Sequence, residues 1–334
     1  MCLRELITYI KILKGKLNMN LQKYSFLLLV KILRAKFYAD LFRSKYYKNI
    51  IKKNIKRALN LQYKSAHYEN LDWKNPQTLD AKIMWLEGMT DTTIWSKLTD
   101  KYEVRKYVSS KGYEENLVKC YGVWNNVNEI DYKKLPNKFV IKCTHDSGST
   151  HIIKDKSKVD FNEINAALEK KLHTIMGYTT CEPHYFRIKP RIIAEELLED
   201  EENQLSSSII DYKIWCFNGT PHIALLCYDR YNDTNGYSTA TFDLYTLEPW
   251  QPKREFLIKC EPTPNYKFIP KPICLEKMLN MAKDLTKGFP VVRADFYIIK
   301  DKPYFGELTF TPAGGLNYSY SDLAQIEMGK MIKL

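Results

Sequence analysis

The chain has 334 residues, 45% of them hydrophobic, which is enough to bury a sizeable core in two or three subdomains and excludes intrinsic disorder. Its eight cysteines stand singly, with no C-x-x-C pair and no clustered His and Cys at zinc-ligand spacing, a pattern that suits a reducing compartment. The net charge of +12 resembles a nucleic-acid signal until it is located: residues 1–65 hold 16 Lys and Arg against Glu5 and Asp40, leaving 35 basic and 37 acidic residues in a nearly neutral remainder.

Residues 3–64 read as two or three helices, with Leu21, Leu28, Ile32, Leu33, Phe37 and Leu41 recurring at helical spacing among Lys and Arg. Such a surface suits anionic lipid headgroups or a polyanion, and equally a solvated face; no DNA- or RNA-binding signature accompanies it, so nucleic acid is not expected as a partner. The apolar run Phe26–Val30 is too short to cross a bilayer and is closely followed by Lys31, Arg34 and Lys36. With no secretory leader legible either, a cytoplasmic protein is expected, with peripheral contact at the inner membrane face through residues 1–65.

After Asn75-Pro76, helices are predicted over 79–87 and 100–111, the second stopping at Gly112. The pattern then changes to a buried strand at Phe139-Val140-Ile141, a polar turn over 144–150, a short strand at Ile152-Ile153, a helix over 161–176 and a strand over 191–198. The acidic, Ser-rich stretch 200–208 reads as a hinge. Strands follow over 211–217, 222–228, 239–245, 291–299 and 304–310, interrupted by one helix over 275–287. The fold class is α+β, without a dinucleotide-binding fingerprint, and the expected divisions are 1–65, 66–136, 137–198 and 199–334.

Three stretches can carry chemistry. If Lys300–Lys302 form the turn of a hairpin, with Ile299 facing Pro303, Asp295 falls opposite Glu307 and Arg293 opposite Thr309. Two carboxylates roughly 5 Å apart repel unless a divalent cation lies between them, and magnesium suits a hard oxygen pair. Two solvated surface acids explain the same residues. In the second stretch Lys142 ends an apolar strand, and Ser147, Gly148, Ser149 and Thr150 follow in a small loop able to wrap phosphate oxygens. In the third, the strand around Ile192-Ile193 emerges at Glu195-Glu196-Leu197, where backbone groups can receive an adenine edge or the glutamates merely meet water.

In order along the chain, these pieces and others resemble the TupA-like ATP-grasp family of bacterial teichuronopeptide, capsule and surface-polysaccharide synthesis. The resembling stretches are Asn75-Pro76-Gln77-Thr78 with Lys82-Ile83-Met84-Trp85-Leu86, Thr99 to Arg105, Phe139 to Lys142, Glu195-Glu196-Leu197, Asp211-Tyr212-Lys213 with Cys216 to Gly219, and Val292 to Tyr297 through Gly306 to Thr309. They reach from about residue 70 to the end. The resemblance implies an ATP-grasp fold in which two α+β subdomains hold ATP and Mg2+. It further implies that Lys101 and Lys142 contact the phosphates under a lid that includes 147–150. Glu195, Glu196 and Leu197 would lie along adenine and ribose, Lys213 would approach the nucleotide or acyl phosphate, Arg293 would steady the transferring phosphate, and Asp295 and Glu307 would hold magnesium. Many ATP-grasp enzymes place Asn two residues after the metal-binding glutamate, whereas Thr309 stands here, whose neutral hydroxyl would ligate the metal weakly, act through water or orient substrate.

The expected activity is ATP-dependent ligation of a carboxylate, such as a uronic acid of a surface-polysaccharide precursor, to an amine through an acyl phosphate. The rivals are a glycosyltransferase of the same polymers, which would call for a D-x-D motif that the chain lacks, and a membrane-associated scaffold without turnover. Tyr228 to Tyr245, rich in Tyr, Asp, Asn and Thr, reads as a sugar-binding stretch or an exposed hairpin.

Overall fold

A computed structural model describes residues 26–200, 205–232, 238–259 and 264–334. The chain divides into one unit ending at Asn70 and another running from Leu71 to Leu334. Of the N-terminal helices, α1 (Phe26–Arg43), α2 (Lys45–Lys53) and α3 (Ile55–His67) are described; the reading over 3–25, Leu21 included, and the side chain of Leu28 lie outside the described residues. The short connections are set by caps. Ser44 accepts the Tyr47 N–H at 3.1 Å, and Asn54 accepts that of Arg57 at 3.0 Å. Tyr38, Phe42 and Tyr47 pack in sequence with tilted rings, and the Tyr47 hydroxyl donates to the Ala58 carbonyl at 3.1 Å, joining α2 to α3. Leu33, Ile50, Ile51, Leu59 and Tyr63 are buried, whereas Lys45, Lys52, Lys53 and Arg57 are exposed. No described helix is long and apolar enough to cross a membrane.

The second unit opens with α4 (Leu79–Met89), α5 (Thr93–Thr99) and α6 (Glu103–Ser110). The predicted helix over 100–111 therefore starts later than expected, for a definite reason. The Asp100 carboxylate accepts the N–H groups of Tyr102 and Glu103 at 2.8 and 3.3 Å, which makes it a turn residue between α5 and α6, and it pairs with Arg191 at 2.7 Å.

A four-stranded antiparallel sheet follows, in the order β1-β4-β2-β3: β1 (Cys120–Trp124), β2 (Phe139–Cys143), β3 (His151–Ile153) and β4 (Ile192–Glu195). No expectation marked β1, because all five of its residues are half-buried and offer no alternation to read. The sheet thus recruits residues 120–124, which lie ahead of the expected division at 137. Phe139, Ile141 and Cys143 point to one face and pack with Ile164 and Leu168 of α7 (Phe161–Leu172), a helix shorter than the predicted 161–176. Val140 and Lys142 occupy the other face.

The larger sheet has the order β10-β9-β5-β6-β7-β8, antiparallel throughout: β5 (Asp211–Phe217), β6 (Thr220–Asn232), β7 (Ser238–Leu247), β8 (Trp250–Pro252), β9 (Val291–Ile299) and β10 (Lys302–Thr309). The hinge expected at 200–208 lies partly outside the described residues. Ile214, Val292, Ala294, Phe296 and Leu308 join Met278, Met281 and Leu285 of α8 (Leu275–Thr286) in one buried cluster. A last helix, α9 (Asp322–Met331), lies beyond the elements read from sequence. Gln325 accepts the Asp80 N–H at 3.0 Å, and Gly329 passes so close to α4 that a Cβ there would meet the Gln77 carbonyl oxygen at 2.2 Å.

Candidate active site

The hairpin β9–β10 pairs Asp295 with Glu307 and Arg293 with Thr309, the partners read from sequence, but by a different route. The turn is only Lys300-Asp301, with φ of 48° and 57°, the primed conformation that matches the twist of a hairpin. Lys302 therefore faces Ile299, one step away from the pairing expected with a three-residue turn. An extra residue at Gly306 then shifts the register back, so that Glu307 meets Asp295.

On the opposite side of β9, Lys213 pairs with Asp295 and Trp215 with Arg293. Lys213, Asp295 and Glu307 consequently form a row across three strands, with Arg293 and Thr309 in the next row on the same face. Arg293 grips Asp295 in a two-pronged contact, Nε to Oδ1 and Nη2 to Oδ2, both 2.7 Å, while Lys213 Nζ lies 2.6 Å from Oδ2. Burial alone would raise the Asp295 pKa, but Arg293 and Lys213 outweigh it and hold the carboxyl below its usual value. Burial likewise opposes the charge on Arg293 and Lys213, and Asp295 outweighs it, keeping both cationic. Glu307 is more open, its side chain 42% exposed, and Arg293 Nη2 stands 3.8 Å away. The Thr309 hydroxyl accepts from Arg293 and donates to Glu307, both at 3.3 Å, so it orients its neighbours.

On the small sheet, the buried Glu195 takes Lys142 on one oxygen at 2.7 Å and Arg105 on the other at 2.9 Å. Arg105 also donates to the Val118 carbonyl. Sequence reasoning gave Arg105 no role of its own; its position four residues after Lys101 was the available signal. Glu195 is thus a clamp for two cations. The Glu196 side chain is exposed and its N–H donates to the Lys119 carbonyl at 2.9 Å, so that group is already used, and half-buried Leu197 follows it.

Lys101 is placed by its own N–H, which donates to the Thr144 carbonyl at 3.1 Å, and its Nζ donates to the Asp146 carbonyl. Among the described residues it has no ion pair within 4 Å. Burial lowers its pKa, opposed by Glu307 and reinforced by Lys142, so this ammonium feels charges from both sheets. In the following loop the Ser149 hydroxyl donates to Asp146 Oδ1 at 2.5 Å and accepts the Cys143 N–H at 2.9 Å. It shapes the loop from within, which differs from the expected phosphate-wrapping role. Ser147, Gly148 and Thr150 are exposed, Gly148 with φ of 83°. Tyr185, which no sequence pattern marked, carries a phenol whose pKa is pushed well up by burial and by Glu182 and Glu307, with Arg293 and Asp146 also acting on it.

The donor set fits a hard divalent cation. Asp295 is held ionised, its Oδ1 keeps a second lone pair while Oδ2 is taken by both Arg293 and Lys213, and Glu307 beside it is open to solvent. Among the described residues no group of three or more His, Cys, Asp and Glu gathers as a metal cage, so a magnesium ion here would take its remaining ligands from phosphate and water.

The chain belongs to the TupA-like ATP-grasp family, whose model matches residues 81–333, and its two α+β sheets are those of an ATP-grasp fold. No curated protein matches the sequence. Among solved structures it is similar to D-alanine–D-alanine ligase from Bacillus anthracis, at 15% identity and a TM-score of 0.38, covering 70% of this chain and 62% of that one. The D-alanine–D-alanine ligase from Helicobacter pylori gives 14% identity and 0.37 over 75% and 62%, and phosphoribosylglycinamide synthetase from Anaerococcus prevotii gives 13% and 0.35 over 69% and 48%. The chain therefore spans less than two thirds of the length of these enzymes, and such loose likenesses carry no residue assignments.

Proposed function

We propose that the chain is an ATP- and magnesium-dependent ligase that joins a carboxylate, such as a uronic acid of a bacterial surface-polysaccharide precursor, to an amine. The observation that carries this reading is the row Lys213, Asp295 and Glu307 with Arg293 beside it: two carboxylates on one sheet face, flanked by cations, with the half-buried ammonium of Lys101 influenced by Glu307. Asp295 and Glu307 would hold magnesium, which when bound neutralises phosphate charge. Lys101 supplies a cation without a carboxylate partner of its own, suited to a phosphate oxygen. Arg293 and Lys213 stabilise the negative charge that develops as the terminal phosphoryl group leaves ADP for a carboxylate oxygen. The amine nitrogen then forms a bond to the acyl carbon, its proton is lost, and the carbon–oxygen bond to phosphate breaks, giving an amide, ADP and phosphate. No nucleophilic Ser or Cys enters this sequence.

The test is ADP release from ATP and magnesium across a panel of uronic acids and amines. Release that requires both co-substrates is the expected result; UDP release from a sugar nucleotide in their place would overturn the reading.

We also propose that the helical unit rests on an anionic, lipid-bearing surface inside the cell. Residues 26–70 hold eleven Lys and Arg against Asp40 and Glu69, and apolar residues such as Ile50, Ile51 and Leu59 are buried, so the contact would be electrostatic and would weaken with salt. Binding to vesicles containing phosphatidylglycerol should fall when Lys45, Lys52, Lys53 and Arg57 are changed together to Gln; unchanged binding refutes it.

A further inference from the structure

Strand β6 carries one irregularity at the edge of the site. Tyr228 pairs with Thr241 and Tyr231 with Thr239, so Asp229 and Arg230 together oppose Ala240. This is a β-bulge, and Asp229 adopts φ of 50° within it. The bulge is fastened from outside the sheet: the Asp229 N–H donates to Ser206 Oγ at 2.9 Å, and its carboxylate accepts the Ser207 N–H at 2.9 Å and pairs with Lys267 at 2.6 Å.

The extra residue decides which way Arg230 points. In an unbroken strand it would follow the fully buried Tyr228 to the core face, two positions away on the same side. Instead its guanidinium reaches the Cys227 sulfur at 3.2 Å and the carboxylate of Asp211. Asp211 stands 3.6 Å from Lys213, which is 2.6 Å from Asp295. Arg230, Asp211, Lys213 and Asp295 thus form a connected line on one sheet face.

Arg230 differs from the other cations of that face. Lys213 and Arg293 are 14% and 12% exposed, whereas Arg230 is 45% exposed. Only its Nη2 is engaged; Nε and Nη1 make no hydrogen bond among the described residues. Lys213 already lies beside Asp211, so charge compensation there has a second source. What remains open to solvent is a delocalised cation with two unspent donors, Nε–H and Nη1, each able to give a charge-assisted hydrogen bond to a carboxylate.

We infer that Arg230 receives the carboxylate-bearing acceptor, a sugar acid or similar polar carboxylate, and sets it beside the phosphate row of Lys213 and Asp295. This rests on the ligase reading above and deepens it by naming the acceptor's subsite. The experiment uses the full chain with magnesium, ATP and the uronic acid and amine panel, and compares wild type with Arg230→Gln and Arg230→Lys. The lysine variant keeps a cation for Asp211 and so guards against simple loss of folding. With glutamine, KM for the carboxylate should rise on the order of 30- to 100-fold, the weight of a charge-assisted pair, while KM for ATP stays within about twofold. With lysine the rise should be about tenfold. If wild type uses no carboxylate at all, the ligase reading falls and takes this inference with it. If wild type is active and the glutamine variant keeps its carboxylate KM, or both variants lose ATP and carboxylate affinity in step, the Arg230 assignment alone is overturned.

Discussion

The cations of the large sheet and the cation that precedes α6 are held in opposite ways. Arg293 and Lys213 are both locked onto Asp295 at 2.6–2.7 Å, and the carboxylate is ionised because they surround it. Lys101 is half-buried, yet its ammonium donates to a backbone carbonyl rather than to a carboxylate, and burial lowers its pKa. The cations of the first group share a carboxylate in direct contact before any ligand arrives and serve to hold geometry. The second has no carboxylate within 4 Å among the described residues, which favours an incoming anion at some cost to the empty protein. Position within a charge network thus separates a scaffold cation from a receptor cation, although both are simply Lys or Arg in sequence.

The largest effect should come from breaking the first group. Asp295→Asn leaves Arg293 and Lys213 with only the more distant Glu307 and Asp211 as counter-charges, and removing one member of a buried ionic cluster costs about 3–5 kcal/mol. Turnover should fall on the order of 10³-fold if Asp295 holds magnesium as proposed. Denaturant unfolding and ADP release measure the two losses, and an active, fully stable variant would show that Asp295 is no more than a solvated strand residue.

Lys101→Met should do the reverse to stability. Without nucleotide the unfolding free energy should rise by about 1 kcal/mol, because a half-buried charge without a close carboxylate is gone, while ATP affinity falls on the order of 10²-fold. Loss of stability together with loss of affinity would erase the contrast between the two cations. The pH dependence has a definite sign. The folded-state pKa lies below the unfolded 10.5, so the penalty of holding the ammonium is present at pH below the lowered value and is relieved as pH rises from there toward 10.5. Over the same rise ATP should bind more weakly, since the cation is being discharged. Lys101→Arg, which stays charged, should keep its affinity through that range in a calorimetric titration.

Much of this was legible beforehand, and the gaps have physical causes. Strands with a buried run, such as Asp211–Phe217 and Val291–Ile299, have the bounds read for them, because each carries a continuous apolar stretch. Cys120–Trp124 was missed, since uniformly half-buried residues carry no period. The Lys142–Glu195–Arg105 clamp joins residues up to 90 positions apart, and no local pattern encodes such a meeting. Ser149 was read correctly as part of a polar loop, but sequence cannot tell a hydroxyl offered to a ligand from one spent on Asp146. The hairpin is the most instructive case. The expected three-residue turn is wrong, because Lys300 and Asp301 both adopt positive φ without a glycine, yet the pairing of Asp295 with Glu307 survives.

It survives because Gly306 takes up the missing residue, and this leads to the smallest expected effect. A Cβ at 306 would lie 3.0 Å from the Asp295 carbonyl oxygen and 3.2 Å from the Tyr297 ring, so Gly306→Ala must push β10 away from β9 where the two carboxylates meet. The cost should be about 1–2 kcal/mol in unfolding free energy, typical of a tight small-to-large change. Turnover should drop about tenfold, because carboxylates set slightly apart hold a phosphate-bound cation less well, while ATP affinity through Lys101 changes little. Equal losses in both would mean that the two groups of cations are not independent. A variant with wild-type turnover would mean that the register of Asp295 against Glu307 does not matter to the chemistry.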